Sequence, residues 1–152
     1  MIKVIAHRAN LRGISNSENS PSAINEAIKL GFDVEIDIWV VNNKIYLGHD
    51  EPTYDTNLEF LLSRHEKLWI HCKNLEAISF LLGYKNLNIF WHQTDDFVIT
   101  RSNHIWTYPN KKLTKSSIAV MPHDLGDVIK QDPYAVCTDD AINALSLIEN
   151  II

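Results

Sequence analysis

Glu35 and Asp37 stand two residues apart in the strictly alternating stretch Val34-Glu35-Ile36-Asp37-Ile38-Trp39. In a β-strand, residues i and i+2 share a face, so both carboxylates point one way while Val34, Ile36 and Ile38 point the other. Adjacent carboxylates in an apolar strand repel each other and lose hydration unless a cation lies between them. Oxygen pairs of this kind suit a hard ion such as Mg²⁺ or Ca²⁺. A solvated strand face would carry the same two residues, so the rest of the chain must decide. It supplies further titratable groups where apolar runs end: His7-Arg8, His49-Asp50, His71 with Lys73, His92-Gln93 and Thr138-Asp139-Asp140. Histidine takes or gives a proton near neutral pH, arginine offers a planar fork to an anion, and lysine offers a point charge.

The elements that must position these groups follow from periodicity and punctuation. Apolar runs predict strands at 2–7, 33–41, 45–50, 68–73, 87–92, 104–108, 117–121 and 134–138. The Asn-, Ser- and Gly-containing stretch 9–20 is a loop. Ser20 as N-cap and Pro21 at the first helical position open a helix whose stripe is Ile24, Ala27 and Ile28, and Gly31 ends it. Further helices are predicted at 57–64, 74–83 and 125–130, with a helical turn around Phe97–Thr100. The last helix runs over 141–151, with Ile142, Leu145, Ile148 and Ile152 on its apolar side.

Eight short strands separated by helix or loop are the order of a parallel α/β fold, and the number eight points to a closed barrel. A full barrel of this type needs roughly 200 residues or more, and this chain has 152. The spacing leaves no room for helices after the second, fifth and sixth strands. The expectation is therefore a single domain over 1–152: a reduced TIM-type (β/α)8 barrel with several helices shortened or replaced by loops. In such a barrel the functional site lies at the C-terminal strand ends, which is where the polar groups gather.

Composition is ordinary for a globular domain, with 45% apolar and 22% charged residues. The net charge of −5 speaks against a patch able to hold nucleic acid. No apolar run approaches the ~18 residues of a membrane span, and the first residues read as a strand without a signal-peptide core, so a cytoplasmic protein is the default expectation. Cys72 and Cys137 have no metal-ligand spacing and read as free buried thiols. The oligomeric state is left open.

Taken together and in this order, His7-Arg8, Glu18-Asn19, Glu35-x-Asp37 and His49-Asp50 resemble the glycerophosphodiester phosphodiesterase family, part of the phospholipase-C-like phosphodiesterase superfamily. The resemblance covers about the first third of the chain; His71-Cys72-Lys73 matches the family's acid-x-Lys strand in part, and Thr138-Asp139 its closing strand faintly. It implies a TIM-type barrel, one divalent cation and cleavage of a small glycerophosphodiester-like substrate. On that basis Glu35 and Asp37 bind the metal, and His7 and His49 form the general acid/base pair; the preferred order sets His7 on the attacking hydroxyl and His49 on the leaving group, with the reverse order left open. Arg8 and Lys73 neutralise the phosphate, and Asn19 orders the site. His71 stands where the family has a third acidic ligand, so it either coordinates, opening the site to Mn²⁺ or Zn²⁺, or leaves that place to water. Trp106, with Trp39, Tyr54, Trp91 and Tyr108, is expected to line an apolar substrate cleft. Alternatives within the same resemblance are a lyase that stops at a cyclic phosphate and a non-catalytic barrel that binds a phosphate-bearing ligand. The family fold further implies a looping parallel connection after Val41, because a two-residue hairpin over Asn42-Asn43 would set Asp37 opposite Gly48 and put His49 on the other face.

Overall fold

The computed structural model describes residues 1–151; Ile152, expected on the apolar side of the last helix, lies outside them. The chain begins with β1 (Lys3–His7), α1 (Pro21–Lys29) and the long β2 (Asp33–Val41), continues through β3 (Lys44–Leu47), β4 (Tyr54–Thr56) and α2 (Leu58–Leu62), and then forms β5 (Leu68–Cys72) and α3 (Leu75–Leu82). Then come β6 (Ile89–Phe90), β7 (Phe97–Ile99), β8 (Ile105–Thr107), β9 (Ser117–Val120), α4 (Leu125–Lys130), β10 (Ala135–Thr138) and α5 (Ala141–Ile151). The α1 cap is the expected one: the Ser20 hydroxyl accepts from the Ala23 N–H at 3.2 Å, and Gly31 follows the helix with φ +97°.

The strands form one curled sheet in which β6, β5, β2, β1, β10, β9 and β8 run parallel in that spatial order. This is a reduced TIM-type barrel of seven parallel strands. No ladder joins β6 to β8. There the edges meet through the Arg101 N–H, which donates to the Ile89 carbonyl at 3.1 Å, and through Phe90 against Trp106, ring centroids 4.5 Å apart. The Arg101 guanidinium also reaches the carbonyls of Leu81, Tyr84 and Leu87 at the end of α3, a cationic cap on that helix terminus. Alternate side chains enter the barrel, among them Ile5, Trp69, Trp106, Ile118 and Cys137. The opposite set (Val4, Val34, Ile36, Ile38, Ile70) packs under Ile24, Leu61, Ala77, Leu81 and Ile148 of the helices. Glu35 and Asp37 alternate with Val34, Ile36 and Ile38, so they face the barrel interior.

Two expectations are corrected. Phe97–Ile99 is not a helical turn but β7, antiparallel to β8; its Phe-Val-Ile-Thr sequence is β-prone, and Asn103 at φ +64° closes the turn. The segment 45–50 is not a parallel barrel strand either. It begins as β3, antiparallel to β2 with Ile38 opposite Leu47 and Val41 opposite Lys44, and β4 pairs with it in turn. Asn42 and Asn43 take φ +50° and +61°, the left-handed pair of a type I′ hairpin that asparagine tolerates. The helix α2 therefore belongs to the connection from β2 to β5.

The hairpin would send His49 to the wrong face if the ladder continued. Gly48 prevents that. Its φ is +152°, and a Cβ there would stand 2.0 Å from the Glu51 carbonyl oxygen and 2.7 Å from the Thr53 hydroxyl. The Trp39 indole N–H holds the Gly48 carbonyl at 2.7 Å, and the chain doubles back so that His49 reaches Asp37. Gly48→Ala is expected to cost roughly 2 kcal/mol or more, the scale of a forced backbone conformation, whereas Gly31→Ala, with nothing within 4 Å of its added Cβ, should cost less. Urea unfolding of the two variants measures the difference, and equal losses would contradict this account of the bend.

Candidate active site

At the C-terminal ends of β1, β2, β5 and β10 a cleft of about 570 Å³ opens, lined by His7, Arg8, Glu35, Asp37, His49, His71, Lys73, His92 and Trp106, among others. Of the titratable residues singled out at strand ends, His7, Arg8, Glu35, Asp37, His49, His71, Lys73 and His92 are brought together here; Asp139 stands behind His7, and Asp50 and Asp140 are exposed and do not line the cleft. Asp37 is 1% exposed and Glu35 2%. Around Asp37 stand His49 Nδ1 at 3.2 Å and Arg8 Nε at 3.6 Å from Oδ2, with His71 Nδ1 at 3.1 Å and Lys73 Nζ at 3.5 Å from Oδ1. Burial works to raise the Asp37 pKa, but the His49 hydrogen bond, the neighbouring His71 and the Lys73 charge hold it well below the usual carboxylate range. Glu35 goes the other way: burial and the adjacent Asp37 charge push it up, only partly opposed by His7, His71 and the Arg8 backbone N–H.

Asn19 is buried, and its amide is spent on Asp37 at both ends. Its Nδ2 donates to Asp37 Oδ2 and its Oδ1 accepts from the Asp37 N–H, each at 2.9 Å. Arg8 and Ala9 take φ +51° and +65° where β1 stops. That turn aims the Arg8 N–H at Glu35 Oε2, 3.1 Å away, while the guanidinium spans Glu18 at 3.4 Å and His49 Nε2 at 3.0 Å. Strained residues of this kind concentrate at functional sites.

The partners fix the imidazole tautomers. The His7 Nδ1–H donates to Asp139 Oδ1 at 2.7 Å, since a carboxylate only accepts, so Nε2 faces the cleft and lies 3.9 Å from Glu35 Oε2. Arginine only donates, so His49 Nε2 is the acceptor and its Nδ1–H goes to Asp37. The His71 Nε2–H donates to the His92 carbonyl at 3.1 Å, which leaves Nδ1 facing the two carboxylates.

Asp139 was not among the residues assigned a role from sequence. It sits just past β10, positioned by Asn10, whose Nδ2 bridges Asp139 at 2.9 Å and Glu18 at 2.6 Å. The available signal was Thr138-Asp139 at the end of the last apolar run. Of the five aromatic residues expected in the cleft, Trp106 and Tyr108 line it. Trp106 is 5% exposed and forms the floor, stacked in the barrel core, while Tyr108 is half-exposed at the rim. Trp39, on the same strand face as Glu35 and Asp37, is instead turned to the Gly48 carbonyl, whereas Tyr54 and Trp91 pack on the outer core because their positions alternate to the other side.

One oxygen from Glu35, one from Asp37 and a ring nitrogen of His71 all lie within 4.8 Å of one another, a separation that a single ion at ~2.0–2.5 Å from each can span. Asp37 Oδ1 is buried and accepts no hydrogen bond. A buried carboxylate oxygen without a donor is what a cation would satisfy, so the residues present fit the divalent ion implied by the resemblance.

No protein-family model matches the sequence, and no curated protein matches it. Solved structures share its fold, and two of them are the following. One, from Galdieria sulphuraria and provisionally described as a glycerophosphodiester phosphodiesterase, aligns at a TM-score of 0.61 and 12% identity over 99% of this chain and 98% of that one. The other, described as a glycerophosphodiester phosphodiesterase from Parabacteroides distasonis, aligns at 0.57 and 10% over the same shares. At these identities the likeness establishes the barrel. Among the described residues no helix is long and apolar enough to cross a membrane.

Burial works to lower the His7 pKa, but the Asp139 hydrogen bond and the Glu35 charge outweigh it and raise the value. Burial likewise works to raise Asp139, and the His7 and Asn10 hydrogen bonds bring it down. A raised histidine contributes stability that is present below its unfolded value of about 6.5 and fades as pH climbs through the folded one. A depressed aspartate contributes stability that is present above its unfolded value of about 4 and fades as pH falls through the folded one. The stability lost in Asp139→Asn should therefore be greatest between about pH 4 and 6.5 and shrink on either side. Denaturant unfolding of both proteins across pH measures this, together with a lowered His7 titration midpoint by NMR; an unchanged midpoint would contradict the coupling.

Proposed function

We propose that the protein is a compact divalent-metal-dependent phosphodiesterase of the glycerophosphodiester phosphodiesterase family, acting on a small phosphodiester of glycerophosphodiester type. The observation that carries this reading is the juxtaposition of the Glu35–Asp37–His71 ligand set, with its undonated Asp37 oxygen, and two imidazoles whose tautomers are fixed by separate carboxylates. Binding alone has little use for both a proton donor and a proton acceptor, and structural carboxylates have no use for an orphaned oxygen. The descriptions of the two structural neighbours agree with this activity.

Glu35, Asp37 and His71 hold the ion, which when bound supplies charge neutralisation at a non-bridging phosphate oxygen. Arg8 and Lys73 meet the remaining phosphate charge, Arg8 as a fork and Lys73 as a point charge. Lys73 is already turned into the cleft by its backbone N–H, which bonds the Ile38 carbonyl at 2.8 Å. His7 Nε2 takes the proton of the attacking hydroxyl, and Asp139 on Nδ1 stabilises the imidazolium that forms, which strengthens His7 as an acceptor. As the new P–O bond forms, the bond to the leaving oxygen breaks and His49 delivers the proton that oxygen needs. His49 Nε2 is covered by Arg8 at 3.0 Å; a phosphate that draws the guanidinium away frees this nitrogen to carry that proton. Asn19 acts through Asp37, which it clamps. Trp106 floors the cleft beneath the organic part of the substrate.

The test is a screen of glycerophosphodiesters and bis(p-nitrophenyl) phosphate with divalent ions present and with EDTA. Glu35→Ala and Asp37→Ala should abolish both ion binding and turnover, whereas His49→Ala should retain ion binding by calorimetry and lose turnover. Undiminished cleavage in EDTA would overturn the proposal.

A further inference from the structure

Resting on the metal-site reading above, we infer that His71 is a direct Nδ1 ligand and that it tunes the site toward a borderline transition ion of the Mn²⁺ and Zn²⁺ class, away from Mg²⁺ and Ca²⁺. The ring is built in rather than adventitious. Its Nε2–H is committed to the His92 carbonyl at 3.1 Å, and its plane is fixed by Phe90, stacked at 5.2 Å with an interplanar angle of 7°. With Nε2 as donor, the neutral ring carries its lone pair on Nδ1, aimed between Asp37 Oδ1 at 3.1 Å and Glu35 Oε1 at 3.9 Å. A bare lone pair facing two carboxylate oxygens is repulsive, and no hydrogen bond reaches that Asp37 oxygen. An ion bound by all three turns the repulsion into coordination. The carbonyl behind the ring is the usual outer partner of a metal-ligating histidine, fixing its tautomer.

Charge and softness then select the ion. Mg²⁺ and Ca²⁺ are held by accumulated oxygen charge. Here the ligand set carries only two carboxylates, and Asp37 shares its charge with Lys73 at 3.5 Å and Arg8 at 3.6 Å. Replacing a carboxylate oxygen with an imidazole nitrogen favours Mn²⁺ and Zn²⁺ over the hard ions.

Any nitrogen–oxygen site binds Zn²⁺ more tightly than Mn²⁺, so absolute affinity does not decide the matter. The deciding quantity is the ratio of Zn²⁺ to Mg²⁺ affinity, measured by calorimetry on the full chain and on His71→Glu. It should fall by roughly 10- to 100-fold in the variant, the scale on which changes in a ligand environment act. Independently of that variant's folding, pulsed EPR of the Mn²⁺-loaded wild type should show hyperfine coupling to a directly bound imidazole nitrogen. An ion that binds without that coupling, or an unchanged ratio in a folded His71→Glu, overturns this inference and leaves the metal-dependent reading standing. Failure of every divalent ion to bind overturns both.

Discussion

The site is organised by a carboxylate that has been taken out of water. Asp37 points into the barrel, where an isolated charge would be very costly. Its compensation comes from four separate stretches of chain: Arg8 after β1, Asn19 before α1, His49 beyond the hairpin and Lys73 just past β5. Losing the carboxylate would leave a cluster of cations facing one another, which is why a buried network of this kind breaks as a unit.

The inward face of β2 carries three acids, and they differ in how far their surroundings satisfy them. Asp33, at the far end of the barrel, is fully served by its surroundings: Lys3 and Lys67 at 3.3 and 3.2 Å, and the Trp69 indole N–H at 3.2 Å. Nothing more is needed to hold it. Asp37 collects cations yet keeps one oxygen undonated, and Glu35 remains pushed up by burial and by Asp37 itself. Two acids on one strand face, driven in opposite directions, are how perturbed groups mark a site where a charged ligand completes the balance.

Much of this was legible in the chain because alternation and strand-end polarity are local properties. The inward pairing of Glu35 with Asp37, the cap of α1, and the alignment of His71 with Lys73 follow from spacing alone. The connection after Val41 was not legible in the same way. Asn42-Asn43 signalled a hairpin, but the bend that returns His49 to the site depends on Gly48, whose conformation is set by contacts with Thr53 and Trp39. Asp139 was hidden for a related reason. Its link to His7 spans most of the chain, and only the closing of β10 onto β1 puts them together. Tyr54 and Trp91 were placed in the cleft by residue type, where alternation should have been allowed to decide; Trp39 shares the face of Asp37 and is drawn away from the cleft by the Gly48 carbonyl.

The reduction of the barrel falls on the half that holds the fewest charged groups of the cleft. The parallel strands without a following helix are β6 and β8; β8 reaches β9 through the loop 108–116, and β6 reaches β8 through β7. That half contributes Phe90, Trp106, His92 and Tyr108, which wall and floor the cleft. Glu35, Asp37 and His71, both fixed imidazoles and the cations Arg8 and Lys73 come from β1, β2, β5 and their extensions, each held by a complete helical connection. A histidine–carboxylate pair must be held to a few tenths of an ångström, and this demands rigid backbone support. An apolar wall tolerates looser anchoring, and the Arg101 contacts to the end of α3 suffice to keep the open edge in place. Shortening is therefore tolerated where the side chains only exclude water, and the full β/α unit persists where they must hold a charge at a defined point.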